Sequence, residues 1–385
     1  MYLFKNCEIY SPDYLGRKDV LIGGKEILSI EDCLDIPGGW DVEELDVSGL
    51  RMIPGLIDSH VHIAGAGGEG GPASRTPEMQ LSQMIKAGIT TVVGCLGADG
   101  LTRNLEPVLM KAKGLKQDGV TAYIYTGAYQ VPTPTMLGDV GKDIAMIDEV
   151  IGTGEIALSD HRSSTPTVSE LIRLAVHSRV GGMLGNKAGI VNIHMGDAKN
   201  PFQPLYEALD NSELTLKQFL PTHCNRNDYI FEDAKLYGKN GFVDLTTSSY
   251  PYYPDDEVKP SKAIRELLEA GVPLSHITMS SDGCGSLPQF NEDGNIVQLD
   301  TGSLVSMFDE FRDAVKTEDL PFERALQTIT SNVARILKLP AKGHIAVGKD
   351  ADLVLVDSEF RILHVCAMGS LMIRDGRLLR KGYYE

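Results

Sequence analysis

Ile57-Asp58-Ser59-His60-Val61-His62 is an apolar strand that ends in two imidazoles. Successive side chains on a strand point to opposite faces. The spacing therefore predicts Asp58, His60 and His62 on one face and Ile57, Val61 and Ile63 on the other. Two imidazoles two residues apart at a strand end make half of a metal site, because neutral imidazole nitrogen suits zinc. The segment that follows, Gly65-Ala66-Gly67-Gly68-Glu69-Gly70-Gly71, has no Lys-Ser or Lys-Thr after it, so it does not read as a phosphate loop. Its glycines let backbone approach a ligand closely.

That strand is the first of eight short apolar runs, at 52–62, 90–95, 122–126, 155–159, 190–194, 220–223, 242–246 and 277–282. Helical patterns at 77–87, 105–118, 142–150, 168–179, 204–209, 229–239 and 261–270 separate them, and two more, 302–316 and 321–337, follow the last. Eight strands alternating with helices predict a closed parallel (β/α)8 barrel of the triosephosphate-isomerase kind. Residues 1–53 and 341–385 read as β-strands with hairpin turns, such as Gly23-Gly24-Lys25 and Arg374-Asp375-Gly376. Neither end can hold a core alone, so both are expected in one small β-sandwich domain, interrupted by the catalytic barrel of residues 54–340.

Catalytic groups in such barrels come from the C-terminal ends of strands and the loops after them. The polar residues obey that rule. His60 and His62 close the first run, His194 the fifth, His223 the sixth and Asp282 the eighth, and Glu155 opens the inward face of the fourth. Glu155, Ala157 and Ser159 share that inward face, while Ile156 and Leu158 point to the helices. Four histidines and two carboxylates thus converge on one barrel end.

The wider composition is that of an ordinary globular protein. The chain has 385 residues and 42% hydrophobic content. No run is long and apolar enough to span a bilayer, and Met1-Tyr2-Leu3-Phe4-Lys5-Asn6 lacks a signal-peptide pattern. Six scattered cysteines with no Cys-x-x-Cys pair suit reduced thiols, which points to the cytoplasm. A net charge of −17 argues against nucleic acid or an anionic membrane as partner. Ser159, Asp160 and His161 hold the residue types of a nucleophilic triad, but adjacency is not triad geometry.

His-x-His on strand 1, His on strands 5 and 6 and Asp on strand 8 resemble the metal site of the amidohydrolase superfamily. So does the ending Gly343-His344-Ile345-Ala346-Val347-Gly348-Lys349-Asp350-Ala351-Asp352-Leu353-Val354. The segments Gly67-Gly68-Glu69-Gly70-Gly71-Pro72, Thr126-Gly127-Ala128-Tyr129, Ser159-Asp160-His161-Arg162-Ser163, His194-Met195-Gly196-Asp197, Pro221-Thr222-His223-Cys224-Asn225-Arg226-Asn227 and Ser280-Ser281-Asp282-Gly283-Cys284-Gly285-Ser286 narrow the resemblance to the isoaspartyl (β-aspartyl) dipeptidases.

The resemblance implies two zinc ions per chain. His60 and His62 would bind the more buried one with Asp282, and His194 and His223 the other. A carboxylate and a hydroxide would bridge them, the hydroxide attacking the amide. Asp282 would act as general base and then acid, and Tyr129 would donate to the oxyanion. The chain departs from the family at the bridge: Glu155 stands where most isoaspartyl dipeptidases carry a carboxylated lysine, and its arm is three bonds shorter. The expectation is a permanent bridge that needs no carbon dioxide.

The loops after the strands carry one acid and two arginines, Glu69, Arg162 and Arg226. That set suits a small zwitterion with a free amine and two carboxylates, since arginine pairs its donors with carboxylate oxygens. A β-aspartyl dipeptide has that charge pattern. By resemblance Glu69, beside Gly67, holds the substrate amine, and Arg162, Arg226 and Ser286 hold carboxylates. The family also implies a homo-oligomer. Residues 283–300 are a candidate lid. A cyclic-amide hydrolase of the dihydroorotase or hydantoinase type is the nearest rival reading, and a metal-free structural relative the third.

Overall fold

The computed structural model describes residues 1–291 and 295–385. Among them the chain opens with β1 (Tyr2–Tyr10), β2 (Tyr14–Gly23), β3 (Glu26–Glu31), β4 (Glu43–Asp46) and β5 (Arg51–Pro54). Next come β6 (Leu56–Val61), β7 (Ile89–Gly94), β8 (Thr121–Thr126), β9 (Val150–Leu158), β10 (Ile190–Met195), β11 (Phe219–Thr222), β12 (Val243–Thr246) and β13 (Ile277–Ser280). A hairpin of β14 (Ser286–Phe290) and β15 (Ile296–Thr301) follows. The chain ends in β16 (Leu353–Val356), β17 (Ile362–Ala367), β18 (Ser370–Arg374) and β19 (Arg377–Leu378).

The terminal strands meet in one nine-stranded sheet, in the order β19-β18-β17-β16-β5-β1-β2-β3 with β4 against β1. It curls on itself: Ile27 N–H donates to Lys349 O at 2.9 Å and Ala351 N–H to Lys25 O at 2.8 Å. The curl encloses a core that includes Phe4, Ile9, Ile22, Met52, Leu353 and Leu355. The run at 52–62 is therefore two strands. Met52 and Ile53 belong to the terminal sheet, and Gly55 is the break, where a Cβ would meet Thr90 Oγ1 at 2.1 Å.

β6 to β11 form a parallel sheet, and β12 and β13 a parallel pair. Isolated backbone bonds close the seams. Cys224 N–H donates to Asp244 O between β11 and β12. Asp282 N–H donates to His60 O, and His62 N–H to Gly283 O, between β13 and β6. The helices on the outside are α1 (Leu81–Lys86), α2 (Glu106–Gln117), α3 (Val140–Met146), α4 (Val168–Gly185), α5 (Gln203–Asp210), α6 (Asp228–Tyr237), α7 (Pro260–Glu269) and α8 (Val305–Lys316).

The helix expected over 321–337 is two, α9 (Phe322–Gln327) and α10 (Ser331–Ile336). The break has a use. Thr328 O accepts from Met279 N–H and Ile329 O from Ile57 N–H, which satisfies strand donors at the β13–β6 seam. Val333 and Leu337 then plug the lower barrel against Ile57, Val93, Tyr125 and Ile151. Ile57 thus lies in the barrel interior, whereas Val61 and Ile63 lie in the outer, helix-facing core. The strict alternation expected of β6 fails because its pairing with β7 slips between Asp58 and Val61. On β13 the alternation holds: Ile277 and Met279 face the outer core, while Thr278 and Ser280 bond inward to Asp244. Among the described residues no helix is long and apolar enough to cross a membrane.

Candidate active site

The barrel interior is layered. Above the apolar floor lies a hydrogen-bonded polar layer. Thr222, Thr278 and Ser280 hydroxyls donate to Asp244 at 2.8, 2.6 and 2.6 Å, and Ser281 N–H and Oγ donate to Asp58 at 3.1 and 2.5 Å. Burial pushes the Asp58 carboxyl up to about 7. Above this layer sit the six residues expected as ligands.

Glu155 is the centre of that upper layer. It is the sixth residue of β9 and not its opening one, since the strand begins at Val150. Thr153 pairs with Val191 and Ile156 with Ile193, so Gly154 and Glu155 both oppose Asn192. This is a β-bulge, which re-aims the side chain that follows. Only glycine fits at 154, where φ is +148° and a Cβ would meet Asn192 O at 2.7 Å.

The bulged carboxylate faces two histidine pairs. Oε1 lies 2.5 Å from His194 Nδ1 and 3.3 Å from His223 Nε2. Oε2 lies 3.4 Å from His60 Nε2 and 3.9 Å from His62 Nε2. Asp282 Oδ1 lies 3.1 Å from His62 Nε2 and 3.7 Å from His60 Nε2. His223 and Asp282 follow their strands with φ of 62° and 53°. That left-handed conformation costs an ordinary residue about 1–2 kcal/mol, although His and Asp adopt it more readily than most.

Groups outside the ligand layer fix the rings. Asn192 Nδ2 donates to Leu220 O, which turns its Oδ1 toward His60 Nδ1 at 3.0 Å. His60 then carries its proton on Nδ1 and presents Nε2 as a lone pair. His223 Nδ1 is 2.7 Å from Thr246 Oγ1. Gly97 holds the other ring close, since a Cβ there would meet His62 Cε1 at 2.7 Å.

These residues fit a metal. Among the described residues Glu155 Oε2 and Asp282 Oδ1 are buried acceptors that receive no well-formed hydrogen bond. Such orphans are rare unless something else satisfies them. Burial lowers the basicity of His60 and His62, but Cys95 together with Glu155 or Asp282 raises it well above the usual imidazole value. A pocket that draws protons onto buried imidazoles also draws a cation, and the two compete. His223 is pushed down to about 3 by burial and by His194, so it stays neutral, as a ligand must. Donor atoms of His60, His62, Cys95 and Glu155 lie within 4.8 Å of one another, as do those of Glu155, His194 and His223.

A cavity of about 590 Å³ opens above this layer. Its lining includes Gly67, Glu69, Tyr129, Arg162, Arg226 and Ser286, all expected from the sequence. The Tyr129 hydroxyl is 2.8 Å from His194 Nδ1; burial, then Glu155, keeps it protonated by raising its pKa well above the phenol value. Gly67 has φ +81°, and a Cβ there would meet Ser74 O at 2.5 Å and Ser286 Cβ at 3.5 Å. Among the described residues Ser286 Oγ has no hydrogen-bond partner. Arg162 Nη1 donates to Glu69 Oε1 at 3.3 Å.

Three residues of the site escaped the sequence reading. Asp160 accepts Arg162 Nε and Nη2, both at 2.9 Å, and stands 3.6 Å from Arg226 Nη1 and 3.1 Å from His194 Nε2. Burial opposes its ionisation, yet His194 and Arg162 hold its carboxyl far below the usual range. It is the anchor of both arginines. Cys95 stands 3.6 Å from His60 Nε2. Glu257 lines the cavity, accepts Ser249 Oγ at 2.7 Å, and is pushed by burial up to about 7.

The candidate lid, residues 283–300, takes in β14 and all of β15 except Thr301; residues 292–294 lie outside the described part. Leu287 and Pro288 line the cavity, and the Tyr253 hydroxyl donates to Pro288 O at 2.7 Å.

The amidohydrolase family model matches residues 191–374. The solved structure of β-aspartyl dipeptidase from Fervidobacterium islandicum AW-1, in complex with β-Asp-Leu, is 42% identical to this chain. It covers 99% of both chains with a TM-score of 0.92. The chain belongs to the amidohydrolase family. This amidohydrolase is a hydrolase with the residues for a metal cofactor, and its similarity to β-aspartyl dipeptidase runs from end to end. D-hydantoinase from Thermus sp. shares the fold, at 18% identity over 100% of this chain and 98% of its own, with a TM-score of 0.71. Dihydroorotase from Streptococcus pyogenes is 26% identical over 217 residues, which is 50% of this chain. The chain spans about half the length of those curated relatives, 47% of theirs.

Proposed function

We propose that this amidohydrolase is a β-aspartyl dipeptidase that holds two zinc ions across Glu155. The observation that carries the reading is Glu155 itself, one oxygen toward each histidine pair, beneath a cavity walled by Glu69, Arg162 and Arg226. His60, His62 and Asp282 would hold one ion, and His194 and His223 the other. Such a pair lowers the pKa of a shared water and polarises the scissile carbonyl.

The remaining steps belong to side chains. Asp282 takes the proton of the attacking water on the carboxylate oxygen left free and delivers it to the leaving amine. Tyr129 donates its hydroxyl proton in a hydrogen bond to the developing oxyanion. Glu69 receives the substrate ammonium in the place that Arg162 Nη1 fills here. Arg162, oriented by its two bonds to Asp160, binds carboxylate together with Arg226 and Ser286. Gly67 keeps the backbone close to the ligand. The charges of Glu69, Arg162 and Arg226 cap the cavity and limit the substrate to a dipeptide.

The chain is read as two domains, 1–53 with 341–385 and 54–340. It works as a cytoplasmic homo-oligomer without nucleic acid or membrane partners, and the hairpin within 283–300 acts as a lid. Limited proteolysis with and without ligand would show no difference if the lid is wrong.

The dihydroorotase relatives support a second reading, a cyclic-amide hydrolase, which shares the metals but has no use for Glu69. A metal-free relative would leave Glu155 Oε2 and Asp282 Oδ1 buried and unsatisfied. The deciding experiment offers β-Asp-Leu, α-Asp-Leu, dihydroorotate and hydantoin to zinc-loaded protein. Cleavage of β-Asp-Leu alone is expected. Ring opening of a cyclic amide without cleavage of β-Asp-Leu would replace this reading with its rival.

A further inference from the structure

Cys95 follows β7 and is buried completely among the barrel residues. A buried cysteine is often only a small hydrophobe. This one faces donors. Its Sγ lies 3.6 Å from His60 Nε2, 3.6 Å from His62 Nδ1 and 4.0 Å from His62 Nε2. Its remaining polar neighbour is Val61 O, also at 3.6 Å.

Those separations are informative. Nitrogen at about 2.05 Å and sulfur at about 2.3 Å from one tetrahedral zinc stand about 3.6 Å apart, and nitrogen and oxygen about 3.4 Å apart. His60 Nε2 is 3.6 Å from Cys95 Sγ and 3.4 Å from Glu155 Oε2. That oxygen is buried, without a donor, and aimed into the same cluster. The spacing is that of ligands around one ion.

We infer that Cys95 is a metal ligand, its thiolate joining His60, His62 and Glu155 at the more buried position. The inference rests on the proposed metal site and adds a soft ligand to it. The Cys95 thiol proton leaves to solvent when the ion binds, as for any thiolate site. A thiolate favours zinc and cadmium over magnesium and manganese, and its charge supplements the carboxylates of Glu155 and Asp282. The two ions are then unlike: one carries sulfur, the other only nitrogen and oxygen.

The test loads the full chain with cobalt(II) or cadmium(II), counts bound metal, and records the near-ultraviolet spectrum. A thiolate-to-metal charge-transfer band is expected in the wild type. It should vanish in Cys95→Ser and persist in Cys224→Ser and Cys284→Ser, whose cysteines belong to neither cluster of ligand atoms. Competition with a chelator should show zinc affinity at the tighter position falling at least about tenfold in Cys95→Ser. A wild-type protein that binds two ions without the band would overturn the inference and leave the two-metal reading standing. Failure to bind any ion would overturn both. The wild-type spectrum decides even if Cys95→Ser does not fold.

Discussion

His60 and His62 meet Glu155 Oε2 against the barrel wall, beside Cys95 and Asn192. His194 and His223 meet Oε1 on the side that carries Tyr129, Asp160, Arg162 and Arg226. The first pair has ligand-type neighbours and one amide that fixes a tautomer. The second is crowded by donors and charges that a substrate can use. One carboxylate joins a half built to hold an ion and a half built to hold a molecule. The same barrel rim serves both because a bulge at Gly154 and Glu155 turns the Glu155 carboxylate between them.

The largest effect is expected where the halves meet the reacting atoms. Asp282→Asn keeps the shape but removes the proton carrier and weakens one metal position, so kcat on β-Asp-Leu should fall by a factor on the order of 10²–10⁴ even when excess zinc is supplied. Steady-state kinetics beside metal analysis checks this; an unchanged kcat would remove Asp282 from the chemistry. Next comes the open half. Glu69→Gln loses a charge-assisted bond to the substrate amine, about 1.5–3 kcal/mol, so kcat/KM should drop roughly 10- to 100-fold. A small effect would favour the cyclic-amide reading. Arg226→Lys keeps the charge but loses the paired donors, and KM should rise about tenfold while kcat holds.

The site was legible in the sequence where residue type and strand end coincide. His60, His194, His223 and Asp282 each sit at or just past the C-terminal end of an apolar run, and a parallel barrel brings such ends together whatever the loops do. Glu155 was legible as a carboxylate on an inward face, but its reach was not, because the bulge that aims it depends on pairing with Asn192. Asp160 stayed hidden beside Ser159 and His161, since its meaning lies in two arginines brought in by different loops. Cys95 read as one more reduced thiol; only the fold sets its sulfur against two imidazoles. The split of 321–337 into α9 and α10 answers to strand donors 49 and 272 residues away, at Met279 and Ile57, which no local pattern encodes.

The smallest effect concerns Glu257, on the wall of the open half. Its carboxyl ionises near 4.3 in the unfolded chain but holds its proton up to about 7 when folded. Between those values the folded form binds more protons, so this group lowers stability as pH rises through the window. Glu257→Gln should flatten that decline. Melting temperature against pH, for both proteins, checks it; parallel curves would mean that the carboxyl is not held neutral.

The claim on which the comparison depends is that one glutamate serves two metal positions with no carbon dioxide. The direct test is zinc content per chain, with β-Asp-Leu hydrolysis, for protein reconstituted in bicarbonate-free buffer, beside Glu155→Gln. Two zinc ions and full activity in the wild type are predicted, with fewer than two ions and little activity in the variant. One ion in the wild type, or two retained by Glu155→Gln, would contradict the account.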